Sequence, residues 1–166
     1  MIALPSSMED MYRIHQLVWA YIVPKVQSNL TPSFLYRLDN GLIRVRSRHL
    51  PAGRTLFKTL TPQRPIHIDL AAVEGSDHQQ PVAEQDLQSW CQRKLEKAGF
   101  GVTSLAITGH EVRRGCKYAD GRVHKIVIPV ARVQASITLK DLQSCNDAWQ
   151  NGIGRGKRFG LGMITQ

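Results

Sequence analysis

The sequence predicts an α+β fold in which one strand–helix–strand–strand pattern is used twice, and three observations predict it. Apolar residues recur at helical spacing in three stretches, at about 8–23, 84–98 and 139–150. Between them run segments in which apolar and polar residues alternate, as in strands with one buried face. In chain order the elements read β-α-β-β-loop-β and then β-α-β-β-α-β. The second set is a complete split βαβ unit, and the first is the same unit with its second helix reduced to a loop.

The opening "IAL" can form only a short strand. Ser6 and Ser7, each followed three residues later by an acid (Glu9 and Asp10), give a capping-box pattern ahead of the first helix. Met8, Met11, Ile14, Val18 and Ile22 share one face of that helix, and Pro24 stops it. "FLYRLDNGLIRVRS" is two alternating runs joined by Asn40-Gly41, the signature of a two-residue type I′ hairpin. That loop fixes the register, so Tyr36, Leu38, Ile43 and Val45 face the core, while Arg37 and Arg44 stand opposite each other on the other face. Such a like-charge pair is unfavourable. Asp39, diagonal to Arg44, or a bound phosphate would relieve it. A short strand is expected at about 55–60, and "RPIHIDLAAV" alternates as another. "EGSDHQQPVAEQ" reads as a linker. Leu87, Trp90, Cys91 and Leu95 form the apolar stripe of the second helix, which Gly99 ends. Strands are expected at about 101–112 and 123–137 with a basic polar connection, "RRGCKYADGR", between them. The last helix leads into a glycine-rich tail whose "LGMIT" can form a final strand. The architecture expected is two tandem ferredoxin-like modules, 1–62 and 63–166, with the second helix of the first module reduced.

With 166 residues, 42% apolar and 21% charged, the chain has the composition of a folded protein. It holds no apolar run long enough for a membrane span, and its start lacks a basic segment followed by an apolar one, so no membrane association and no secretory signal are expected. Cys91, Cys116 and Cys145 show no CxxC spacing and read as reduced thiols of a cytoplasmic protein, without a metal site. Charge is unevenly spread. Residues 1–90 carry nine Lys/Arg against eight Asp/Glu, whereas residues 91–166 carry thirteen against five, out of a net +9. A polyanion approached by the second half, above all a nucleic acid, is the partner this implies.

The tail "NGIGRGKRFGLGMITQ" places Gly152, Gly154, Gly156, Gly160 and Gly162 around Arg155, Lys157 and Arg158. A P-loop needs GxxxxGK[ST] between strand and helix, and a dinucleotide fingerprint needs GxGxxG opening a helix. Here the glycines follow a helix and precede a strand, so neither mononucleotide reading holds. What remains is a loop with few side chains that a ligand backbone can approach, with three cations to meet phosphates.

Gly152-Ile153-Gly154 followed after five residues by Gly160-Leu161-Gly162 matches the GhGxxxxxGhG pattern of the repeat-associated (RAMP) proteins of CRISPR systems. With "MYRIHQLVW" and "SWCQRKL", the chain resembles the CasE-type endoribonucleases that cut CRISPR repeat RNA, over nearly its whole length. "IDLAAVEGSD" departs from the Arg-Ala-Asn-Pro segment usual there. The resemblance implies two ferredoxin-like modules, a short RNA stem-loop cut at its 3′ base, retention of the product, and incorporation with other subunits into a surveillance complex. It also makes His15 and Tyr12 the catalytic pair.

The chemistry of those residues agrees with that role. Tyr12 and His15 are three apart and lie on one helix face. A histidine, with a reference pKa of about 6.5, can take a proton from an RNA 2′-hydroxyl or give one to a leaving oxygen. A tyrosine hydroxyl can orient or protonate the same phosphate. Attack by the 2′-oxygen would yield a 2′,3′-cyclic phosphate and a 5′-hydroxyl without metal or cofactor. Trp19 lies on the same side and reads as core. For RNA binding, Arg113, Arg114, Lys117, Arg122 and Lys125 crowd the connection between the last two long strands. The tail adds Gly154, Arg155, Gly156, Lys157 and Arg158, and the hairpin adds Arg37 and Arg44. A CRISPR subunit that binds RNA without cutting it is the alternative.

Overall fold

The computed structural model describes residues 2–3, 10–26, 33–39, 41–47, 64–75 and 78–166. The capping boxes at Ser6 and Ser7, the strand at 55–60 and the 62/63 module boundary lie outside them.

Helix α1, Met11–Ile22, starts at Asp10, whose Oδ1 accepts the backbone N–H groups of Tyr12 and Arg13 at 2.8 and 3.1 Å. A carboxylate there satisfies two of the helix's orphan donors. Met11, Ile14, Val18 and Ile22 are buried, as their spacing predicts, and a 3-10 turn containing Pro24 ends the helix. The buried stripe packs on the hairpin β2 (Leu35–Asp39) and β3 (Leu42–Arg46), which has the predicted register from Leu35↔Arg46 to Asp39↔Leu42. Tyr36 and Ile43 are fully buried, with Leu38, Val45 and Phe34 partly so beside them. Each fully buried Ile or Val in this layer contributes about 1.5–3 kcal/mol relative to exposure. Strand β1, Ile2–Ala3, pairs with β3, giving the order β1-β3-β2.

The second sheet runs β4 (Ile66–Ala71), β8 (Arg122–Leu139), β7 (Phe100–Ala119) in space. The tail returns to the free edge of β4, where His67 and Thr165 exchange backbone hydrogen bonds of 2.8 and 2.9 Å. The predicted final strand is thus a single bridge, yet it completes the spatial order of a ferredoxin-like module. Helices α2 (Leu87–Lys97) and α3 (Leu142–Asn151) cover one face, burying Leu87, Trp90, Cys91, Leu95, Cys145 and Ala148 against Ile66, Ile68, Leu70, Val133 and Ile137. On the other face lie Asp69, Ala71, Val130 and Leu161, toward the first sheet.

Two expectations are corrected. The linker-like stretch carries a small antiparallel pair, β5 (Val73–Glu74) and β6 (Gln80–Pro81). The basic connection at 113–122 is no loop. Strands β7 and β8 continue through it as one long hairpin, closed only by Asp120-Gly121. Both turn residues have positive φ, 53° and 68°, which is type I′ geometry. Beyond Val112↔Pro129 the hairpin no longer has β4 beside it and projects as a two-stranded arm.

Candidate active site

His15 is half-buried on the exposed flank of α1 within a ring of aromatics. Its ring centroid lies 6.4 Å from Tyr12, 6.1 Å from Trp19 and 6.0 Å from Phe34, the last nearly parallel at 22°. Trp19 is 41% exposed and sits in this ring, tilted to His15 and edge-on to Phe34, rather than filling the core, which corrects its predicted role. The three helical residues meet because spacings of three and four return to one face. Phe34 is brought in by the hairpin.

The tail arrives at the same place. After α3 the chain makes a 3-10 turn at Lys157–Phe159, and this turn packs against α1 and β2. The Tyr36 hydroxyl donates to the Arg158 carbonyl at 2.9 Å. Gly160 lies so close under the Tyr36 ring that a Cβ there would sit 2.7 Å from Cε2, and its φ of +77° suits only glycine. The packing brings Arg158 to His15. Burial and the Arg158 charge both lower the His15 pKa from 6.5, partly offset by the Arg158 backbone, which favours the protonated ring. The imidazole is therefore neutral at neutral pH. Its buried Nδ1 has no hydrogen-bond partner among the described residues.

The glycine motif serves this arrangement more than it serves ligand approach. The N–H of Ile153 donates to Gly162 O at 2.9 Å, and a Cβ on Gly152 would sit 2.8 Å from the same oxygen. The two GhG segments clasp each other, with Ile153 and Leu161 buried. Of the glycines predicted to meet RNA, Gly154 would bring a Cβ only to an ordinary contact with Leu70 at 3.9 Å, whereas Gly156 packs on Leu161. Arg155 and Gly154 line a shallow cleft with Trp90 and Lys94 of α2. Lys157 is half-buried and Arg158 exposed.

The arm is fixed to α1. The other carboxylate oxygen of Asp10 accepts the Cys116 N–H at 2.8 Å, and a Cβ on Gly115 would press on Met11 and Tyr12 at 2.9–3.1 Å. Alternation along β7 and β8 then sorts the predicted cations. Lys117, Arg122 and His124 share the Gly115 face, toward α1, while Arg114 and Lys125 lie on the reverse face with Val112, Tyr118, Val123 and Val127. The arginines and lysines on both faces are solvent-accessible.

Two predicted RNA contacts are instead engaged inside the protein. Asp69, 1% exposed, accepts Arg37 Nη2 at 3.1 Å and Arg113 Nη2 at 2.6 Å, and Arg132 lies 3.6 Å away. Arg37 also donates to Thr165 Oγ1 at 2.6 Å, and Arg113 Nε to Glu111 at 2.9 Å. A buried carboxylate requires such compensation, and it draws both guanidiniums inward. Arg44, the other half of the hairpin pair, is exposed and held by Asp39 at 2.7 Å. Carboxylates therefore relieve the Arg37/Arg44 opposition on both sides. Sequence reasoning missed Phe34, the Tyr36 hydroxyl and the Asp69 centre. The hairpin register had already put Tyr36 inside, and a tyrosine buried there needs a hydroxyl partner.

A family profile described as CRISPR associated protein matches residues 71–165. No curated protein sequence matches the chain. Solved structures match along almost all of it. A structure of CRISPR endoribonuclease Cse3 bound to a 19-nucleotide RNA is 15% identical with a TM-score of 0.75, covering 99% of this chain and 96% of that one. The CRISPR-associated protein Cas6e of Escherichia coli str. K-12 is 19% identical with a TM-score of 0.64, covering 99% and 95%. A chain of a CRISPR RNA-guided surveillance complex is 20% identical with a TM-score of 0.64, covering 98% and 95%. At these identities the likeness establishes a common fold.

Proposed function

The chain belongs to the CRISPR-associated protein family that matches residues 71–165, and from that premise we propose that it is an endoribonuclease that cuts CRISPR precursor RNA within the repeat stem-loop. The observation that carries this reading is the packing of the glycine-rich tail's Lys157–Phe159 turn against the helix that bears His15, with the Arg158 charge acting on the imidazole. Neutral imidazole takes the proton of the 2′-hydroxyl on the nucleotide preceding the cut. The 2′-oxygen attacks the adjacent phosphorus, the P–O5′ bond breaks, and in this proposal Tyr12 gives the leaving 5′-oxygen its proton. A 2′,3′-cyclic phosphate and a 5′-hydroxyl result. Arg158 faces the extra negative charge that develops on the phosphoryl oxygens. No step calls for a metal ion, because base, acid and cation are all side chains.

Lys117 and Arg122 on the α1 side of the arm, with Lys157 of the tail, meet the phosphates of the stem. Their hold on the stem does not depend on the scissile bond, so the product stays bound and is passed with the enzyme into a surveillance complex with other subunits.

The test is incubation with repeat RNA in EDTA. Wild type is expected to cut, leaving a cyclic phosphate, and His15→Ala to lose about 10²–10⁴ of the rate, the usual range for general acid–base groups. Binding without cutting by the wild type would instead identify a non-catalytic RNA-binding subunit.

A further inference from the structure

We infer that Tyr36 is a positioning residue for this site: through its buried hydroxyl it holds the Arg158 segment, and with it the guanidinium, against His15. The inference rests on the proposed cleavage reaction for its purpose but on the fold for its geometry.

Tyr36 is completely buried, one strand behind His15, and Phe34 lies between the two rings at 6.0 Å from His15 and 6.4 Å from Tyr36. A buried hydroxyl costs free energy unless it is hydrogen-bonded, and phenylalanine would fill the same space. Among the described residues its one hydrogen bond is the donation to the Arg158 carbonyl. Beyond the clasp at Ile153 and Gly162, the turn's own backbone bonds hold the Arg158 carbonyl only indirectly. Phe159 N bonds Gly156 O at 2.7 Å, but the Gly160 and Leu161 amides make only long bonds of 3.2 and 3.4 Å. Arg158 itself makes no ion pair among the described residues and rests its guanidinium 6.0 Å from the Phe159 ring. No carboxylate therefore aims this cation. Its aim depends on where its backbone is held, and Tyr36 holds the carbonyl of that same residue while its ring seats Gly160. Behind Tyr36 stands Arg113, whose charge acts on the hydroxyl and which is itself fixed by Asp69.

Two readouts separate this inference from the cleavage reading. Among the described residues the charge that acts on His15 is that of Arg158 in the tail; Tyr12, Trp19 and Phe34 adjoin its ring, and Lys117, Arg122 and His124 lie on the arm face toward α1. Arg158 lowers the His15 pKa, so loosening it raises that pKa. NMR titration of His15, identified by its absence in His15→Ala, should therefore show an upward shift in Tyr36→Phe in the same direction as in Arg158→Ala. This holds whether or not RNA is cut. The second readout is single-turnover cleavage at saturating repeat RNA. Tyr36→Phe should slow it by about tenfold or more, as small misplacements of catalytic groups do, with RNA affinity within about twofold of wild type. In an Arg158→Ala background the same change should have little further effect, because both act through one group. An unshifted His15 titration in a folded Tyr36→Phe protein overturns the inference, as does a full additional loss in the Arg158→Ala background. Failure of the wild type to cut, with the titration shifted as expected, overturns the cleavage reading alone.

Discussion

At the scale of single residues, the proton on His15 is governed by two forces acting in the same direction, burial and the Arg158 charge. Its pKa lies below 6.5, so cleavage should climb with pH through a midpoint below that value and be level at neutral pH. Replacing Arg158 with alanine should move the midpoint upward in a pH–rate profile. A rate still rising through about pH 7–8 would assign the titration to another group. Stability follows the same sign. The unfolded chain holds the proton more tightly, so the contribution of His15 is full above pH 6.5 and is lost as pH falls through the lower folded value. That Tyr12 and His15 share one helix face was legible because neighbours on one helical turn need no tertiary information, while their choice as a catalytic pair came from the family resemblance. The sequence could not show where Arg37 and Arg113 would go. Their partner Asp69 lies on another strand, and nothing local to either arginine announces a buried carboxylate. The hairpin register stated the problem of two opposed arginines correctly but held only half of its solution, the Arg44–Asp39 pair.

At the scale of elements, the arm of β7 and β8 has two chemically different faces, and binding should distinguish them. Charge reversal at Lys117 and Arg122, which share the α1 side, should weaken binding of repeat RNA and reduce the slope of log K against log salt by about one for each phosphate that is no longer neutralised. The same reversal at Arg114 and Lys125, on the apolar reverse face, should leave that slope nearly unchanged. Salt titrations of the two double variants decide the matter; equal effects would mean that RNA wraps both faces. The arm itself was half legible. Asn40-Gly41 stood between clean alternations and gave its hairpin residue by residue. Asp120-Gly121 is the same turn chemistry, but the flanking "RRGCKY" breaks the apolar alternation because the face toward α1 packs through Gly115, which has no side chain, and the reverse face carries Arg114 and Tyr118 into solvent. A strand that projects from its sheet loses the pattern by which strands are recognised.

At the scale of the whole molecule, the two sheets are joined through few but costly interactions. Arg46 of β3 stacks its guanidinium 3.6 Å over Trp149 and donates to the carbonyls of Trp149 and Ile164, at 2.5 and 2.8 Å. Burial drives its pKa down to about 10, the mark of a cation held away from water. Arg46→Ala should lower stability by about 2–4 kcal/mol in urea unfolding, since its charge-assisted hydrogen bonds disappear and two carbonyls are left unpaired. Cleavage should fall with it, because α1, packed on the first sheet, carries His15 and the second sheet carries the tail. A variant as stable as wild type would show that the sheets are joined elsewhere. The ferredoxin-like character of the second half was legible from element order alone, since a split βαβ unit followed by helix and strand leaves few spatial arrangements. How the halves meet was not, because it rests on side chains such as Arg46 and Asp69 that no periodicity singles out.

The return of the tail to α1 has a consequence in time as well as in space. During translation the helix bearing His15 leaves the ribosome early, and Tyr36 follows soon after, while Arg158 and the bridge at Thr165 are among the last described parts to be made. Until then the proposed base has no cation beside it and Tyr36 has nothing to grip. The proposed site is therefore among the last features of the described chain that synthesis completes.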